Sequence, residues 1–167
     1  LVAGAALTLA FGLGGCSTIT DLFGGSSETR DDEGAIIEGG TTDAMSLKVG
    51  DCFNSADLAS EFSEVPTIPC SEPHEDELFF EFTMPDGEFP GEEAFTAAAA
   101  EQCTPAFEEY VGKAYADSTL DFWSIYPTQM GWEDEGLKDR LVQCAVYDTV
   151  ALEAGEMTEG SLKGAAR

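Results

Sequence analysis

Apolar and polar positions alternate most clearly between Glu77 and Met84, where Leu78, Phe80, Phe82 and Met84 interleave with Phe79, Glu81 and Thr83. A period of two sends successive side chains to opposite faces of a strand. The segment therefore predicts a strand, closed by the turn signal Pro85-Asp86-Gly87. The period then changes. From Glu92 to Val111, Phe95, Ala99, Gln102 or Cys103, Ala106, Phe107 and Tyr110 recur at helical spacing. Glu92 and Glu93 stand in the first turn, where the helix dipole favours anions, and Gly112 is a natural stop. Pro105 is expected to kink this helix or to restart it with Thr104 as cap. Two more strands are predicted. Leu120 to Tyr126 carries Leu120, Phe122 and Tyr126 on one face and Trp123 and Ile125 on the other, and Asp139 to Tyr147 puts Val142, Cys144 and Val146 on one face. Upstream, Leu47 to Phe53 reads as a first strand bent at Gly50-Asp51. Glu64 to Pro69 reads as an edge or irregular strand, because Pro66 and Pro69 cannot donate to a ladder. Strands, one long helix and strands again predict an α+β domain: a mainly antiparallel sheet with one long, Pro-kinked helix packed on one face.

The amino-terminal pattern is of another kind. Leu1 to Leu13 is an apolar run that leads through Gly14-Gly15 to Cys16. It is shorter than the roughly 20 apolar residues of a membrane-spanning helix and has the length of a secretory h-region. Residues 1–15 are read as a lipoprotein signal peptide, with the sequence expected to begin inside it. Cys16 is then the lipidated first residue of the mature chain. Two acyl chains on one cysteine anchor stably where a single chain binds marginally. Residues 16–45, rich in Gly, Ser, Thr and Asp, are expected to be a flexible tether. Residues 46–150 are read as the folded domain and 151–167 as a C-terminal tail. The expected location is the outer face of the cell membrane, with the membrane itself a partner through the lipid on Cys16.

Charge and cysteine content sharpen this. With 7 basic against 33 acidic residues the net charge is −26, which excludes the clustered cations that nucleic acid requires. Four cysteines remain beside Cys16: Cys52, Cys70, Cys103 and Cys144. An even number in an exported domain reads as two disulfides, and spacing leaves all three pairings open. Candidate binding chemistry centres on His74, the sole histidine, within Pro73-His74-Glu75-Asp76-Glu77. Imidazole beside carboxylates suits a cation, but one histidine lacks zinc-ligand spacing. The simpler reading is a structural histidine bonded to the backbone. Arg140, next to Asp139, is read as a neutraliser of nearby acids, a helix cap or a holder of a partner carboxylate. Trp123 and Trp132, with Phe122 and Tyr126, make either an aromatic binding face or core. No nucleophile elbow, Ser-His-Asp pattern, zinc motif or phosphate loop is present. No catalytic residue, metal or cofactor is expected, and the chain is read as a non-enzyme.

Several short motifs fall in a telling order: Val49-Gly50-Asp51-Cys52-Phe53, Val65-Pro66 leading to Pro69-Cys70, and Pro73-His74 followed by Glu77. Next come Cys103, Phe107 and Tyr110-Val111-Gly112, and finally Pro127-Thr128, Trp132, Asp139-Arg140 and Cys144. Across roughly Leu47 to Asp148 the chain resembles the actinobacterial septum formation family, whose members are exported and often membrane-tethered. It departs where the family has Gly-Asp-Arg, since Leu137-Lys138 separates Gly136 from Asp139-Arg140. The resemblance implies disulfides Cys52–Cys70 and Cys103–Cys144 and a role at the division septum. The function expected is that of a lipid-anchored extracytoplasmic binding or scaffold domain of the cell envelope, with envelope or division proteins as partners. The alternative is an extracytoplasmic lipoprotein that binds a small ligand or cation near His74 or the aromatic loops.

Overall fold

The structure, a computed structural model, describes residues 27–56 and 58–167. The signal-like run and Cys16 lie outside these residues. The described residues contain eight strands: β1 (Thr29–Arg30), β2 (Ile36–Glu38), β3 (Gly40–Asp43), β4 (Cys52–Phe53), β5 (Glu64–Ile68), β6 (Asp76–Thr83), β7 (Leu120–Ile125) and β8 (Leu141–Asp148). The helices are α1 (Glu92–Val111), α2 (Gln129–Glu133) and α3 (Thr149–Ala154). Strands β3-β5-β4-β6-β8-β7 form one sheet with every neighbouring pair antiparallel. β1 and β2 form a separate antiparallel pair. With α1 packed on β6 and β8, the architecture is the α+β one expected.

The two faces of the sheet bury different sets. On the helix side, Phe79, Cys144, Val146 and Leu120 pack against Ala99, Cys103, Phe107 and Tyr110 of α1. On the other side, Leu78, Ala145 and Phe53 pack with Leu47, Val65 and Trp123. β6 serves both faces, and its alternation is broken between Leu78 and Phe80. Leu78 pairs with Ala145 but Phe80 with Cys144, so Phe79 is an extra residue in a bulge. The sequence pattern grouped Leu78 with Phe80 and Phe82, whereas the bulge sends Leu78 to the opposite face. α1 runs unbroken through Pro105. The proline and Glu101, whose carbonyl it leaves without its helical donor, are both exposed residues, and the helix does not restart.

β5 is interior rather than an edge. β4 pairs only with Thr67 and Ile68, so one flank of β5 is open at Pro66, where a residue without an N–H is tolerated. The expected first strand is short: only Cys52–Phe53 pair, because Gly50 turns the chain at φ +98°. Disulfides join Cys52 to Cys70 and Cys103 to Cys144. The first links two neighbouring strand ends and the second staples α1 to β8. Their loops of 18 and 41 residues correspond to about 3 and about 4 kcal/mol in the chain-entropy description.

Both flanks of the domain are more ordered than their composition implies. Residues 27–45 are not a tether: β3 is the sheet's edge strand, with Thr42 buried and its hydroxyl 2.9 Å from that of Thr67. Arg30 clamps this segment down. Its Nη1 and Nη2 donate to the two carboxylate oxygens of buried Asp51, at 2.6 and 2.8 Å, and its Nε donates to Glu28 at 3.0 Å. Asp51 holds the guanidinium proton more tightly than usual. The final residues are not a loose tail either. α3 is capped by Asp148, whose Oδ1 accepts from the backbone of Val150 and Ala151. Leu162 is fully buried in the helix-side core. Buried Glu77 accepts from Tyr110 Oη and Ser161 Oγ, both at 2.6 Å, and from the backbone N–H of Leu162. One carboxylate thus ties β6, α1 and the C-terminal segment together.

Candidate functional site

The face of the sheet away from α1 carries an open cleft of about 500 Å³, within the range of small-molecule sites. β6 and β8 supply its floor, the loop after β4 supplies one wall, and α3 with Thr158 supplies the other. Leu58, Phe62, Trp123 and Leu152 make it apolar over much of its surface. Its polar groups come from strand alternation. His74, Asp76 and Leu78 lie at every second position, so the buried face that takes Leu78 also takes an imidazole and a carboxylate.

Both polar side chains are buried, His74 at 0% and Asp76 at 2% exposure. His74 Nδ1 lies 2.8 Å from the Glu72 carbonyl oxygen. A carbonyl only accepts, so Nδ1 carries the proton, and in the neutral ring Nε2 is a bare acceptor. The backbone of His74 is fixed by reciprocal bonds with Thr158, both 2.9 Å. Asp76 Oδ1 accepts from Trp123 Nε1 at 2.7 Å. Burial pushes the Asp76 carboxyl above its usual range. Nearby Ser55 and the Trp123 N–H offset part of this, although Ser55 completes no hydrogen bond to Oδ2. His74 Nε2 and Asp76 Oδ2 are both buried without a hydrogen-bond partner among the described residues. Tyr147, paired with Asp76 across β6 and β8, also lines the cleft, and burial, then Asp121, raises its hydroxyl pKa.

Four residues were candidates for binding, and they fall into two separate places. His74 and Trp123 share this cleft. Trp132 and Arg140 line a second, polar hollow of about 580 Å³ beside α2. There the arginine is already engaged. Its Nη1 donates to the carbonyls of Trp132 and Asp139, each at 2.8 Å, and its Nε donates to Asp86 at 3.1 Å. The guanidinium carbon sits 3.8 Å from the centre of the Trp132 ring. Trp132 is 3% exposed, packs with Phe95 and Val142, and donates its Nε1–H to the Gly87 carbonyl at 2.9 Å. These two residues make a packed corner, and the proposed four-ring aromatic face does not assemble: Phe122 packs on the helix side, and Tyr126 stacks on Phe95.

Sequence reasoning missed Asp76 as a site residue, and the missing signal was its parity with Leu78. Among the described residues one cluster of three metal-type donors occurs, at Cys52, Cys70 and Glu77. Its two sulfurs are bonded to each other, so no thiolate is on offer. No helix of the described residues is long and apolar enough to cross a membrane.

Comparison with known proteins gives one family. The septum formation family model matches residues 49–167, which takes in the two disulfides, both clefts and the buried C-terminal segment. No curated protein matches, and neither does any solved structure. The matched span is well over half of the chain, so the chain belongs to the septum formation family, whose description gives it a role related to cell division.

Proposed function

We propose that the protein is a lipid-anchored, extracytoplasmic binding module that serves cell division from the outer face of the membrane, and is not an enzyme. The observation that carries this reading is that all four cysteines of the septum formation domain are paired in disulfides. Such pairs persist in oxidising compartments outside the cytoplasm. The run ending in Leu13-Gly14-Gly15-Cys16 supplies the anchor in this reading. A binding role is supported by an open, largely apolar cleft whose sole histidine bonds a backbone carbonyl instead of activating a nucleophile. Fractionation tests the anchor: wild-type protein is expected in the membrane fraction and Cys16→Ala in the medium or unprocessed. Unchanged retention and processing of the variant would remove the lipid anchor from the account. A fluorescent fusion is expected at the division site, and uniform envelope fluorescence through the division cycle would count against a septal role.

A second reading, an extracytoplasmic lipoprotein that holds a small ligand or cation, is favoured by the two unpartnered acceptors in the His74 cleft. It shares the anchor with the first and differs in what is bound.

A further inference from the structure

We infer that the cleft floored by His74 and Asp76 is a binding site for a primary ammonium group on an apolar stem, carried by a free amine or by a lysine side chain. The inference rests on the cleft being a binding site and not on where the protein resides. Among the described residues, two buried polar atoms in it lack partners, Asp76 Oδ2, which only accepts, and His74 Nε2, which accepts in the tautomer whose Nδ1–H bonds the Glu72 carbonyl. A buried acceptor without a donor is costly, so a native structure that keeps two in one cleft leaves a place for donors. No lysine or arginine lines the cleft, while Glu75, Asp76 and Glu156 do, beside Asp148, which is paired with Arg167. The whole chain, at −26, reinforces that sign. The missing group is therefore a cationic donor.

The geometry selects among cations. A guanidinium binds a carboxylate best through two parallel bonds. Asp76 offers one free oxygen, because Trp123 already occupies Oδ1. An ammonium is a compact charge with three N–H donors and needs no fork. A divalent metal needs more donors, and His74 belongs to no cluster of three such groups among the described residues. The walls add the rest. Leu58, Phe62 and Leu152 offer apolar surface to a stem. Trp123 lines the same cleft, where an indole face attracts a cation.

The test is a titration of the full chain followed by NMR, where the sole histidine gives one set of imidazole signals. n-Hexylammonium is expected to shift the His74 ring signals saturably, and n-hexanol, with the same stem and no charge, is expected to leave them unmoved. Nα-acetyl-lysine methylamide separates the sources: tighter binding than hexylammonium assigns a lysine side chain, weaker binding a free amine. Asp76→Asn is expected to weaken binding about tenfold or more, as a hydrogen bond to a charged group is lost. Leu152→Trp changes a residue 59% exposed, leaves the core intact and is expected to block the cleft. An equal response to hexanol, no response to either amine, or wild-type affinity in both variants would overturn the assignment. Each of these results leaves the anchor, tested through Cys16, unaffected.

Discussion

Asp76 shows how one residue can cost stability and serve binding. Burial raises its carboxyl pKa above the unfolded value of 3.8. The native state therefore binds the proton more tightly than the unfolded chain. Stability linked to this group is fully present below pH 3.8 and is lost as the pH rises through the raised native value. Asp76→Asn keeps an oxygen for the Trp123 N–H and removes the buried charge. Thermal melts should show the variant equal to wild type in strong acid and more stable than wild type near neutrality. Asp76→Ala should be less stable than Asp76→Asn, by about 1 kcal/mol or more, because the indole N–H is left without an acceptor. A neutral-pH loss in Asp76→Asn as large as in Asp76→Ala would mean that the charge supports the fold, and the residue would then be structural. Glu77, the next residue, has its hydrogen bonds filled. Its two oxygens accept from Tyr110, Ser161 and Leu162, and burial together with the Glu77 charge keeps the Tyr110 hydroxyl protonated well above its ordinary range. Adjacent carboxylates on opposite faces of one strand thus divide the roles, one unpartnered over a cleft and one saturated in the core.

At the scale of elements, the segments flanking the sheet matter more than their composition implies. Arg30 lies before the span that the family model matches, yet it is the counter-ion of Asp51 in the Gly50-Asp51-Cys52 motif. Arg30→Ala leaves that carboxylate buried with only the Lys48 N–H and should cost about 3 kcal/mol or more in urea denaturation. It should also expose residues 27–45 to proteolysis; unchanged protection would show that β3 alone holds the segment. Ending the chain at Glu159 removes Leu162, two donors to Glu77 and the backbone bonds from Gly164 to Tyr110 and Ala166 to Val111. Guanidinium titration should then show the domain unfolded or many-fold less stable, whereas a dispensable tail would leave the midpoint where it was. These flanks were the part least legible in the sequence. Their order comes from a few long-range contacts, Arg30 with Asp51 and Leu162 with the α1 core, and segments poor in apolar residues give no periodic signal for such contacts. The long helix and β7 were legible because the hydrophobic face of each repeats over many residues. β6 was legible as a strand but not in register, since a bulge at Phe79 leaves no mark in an all-apolar run. The cleft was legible only as a histidine near acids, because the walls that close it come from Leu58 and Leu152, far apart in sequence.

The whole molecule is a strongly anionic body with few internal counter-charges. Each of its three arginines is spent on an acid: Arg30 on Asp51 and Glu28, Arg140 on Asp86, and Arg167 on Asp148. Of these acids only Asp86 is well exposed, so the pairs shield little of the outer surface. Thirty-three carboxylates against seven cations leave a net repulsion that acts on the folded state more than on an expanded chain. Salt shortens the reach of that repulsion, from about 30 Å at 0.01 M to about 8 Å at 0.15 M ionic strength. The buried Arg30–Asp51 pair is screened far less. The melting temperature should therefore rise as sodium chloride is added over this range and level off once the screening length falls below the spacing of surface charges. Binding of a cation in the His74 cleft should move the other way, because the field that concentrates cations there is the one that salt removes. Melting curves and hexylammonium titrations over one salt series test both trends. Destabilisation by salt would mean that surface ion pairs outweigh repulsion. Salt-independent affinity would mean that the cleft draws on Asp76 alone and takes nothing from the charge of the molecule around it.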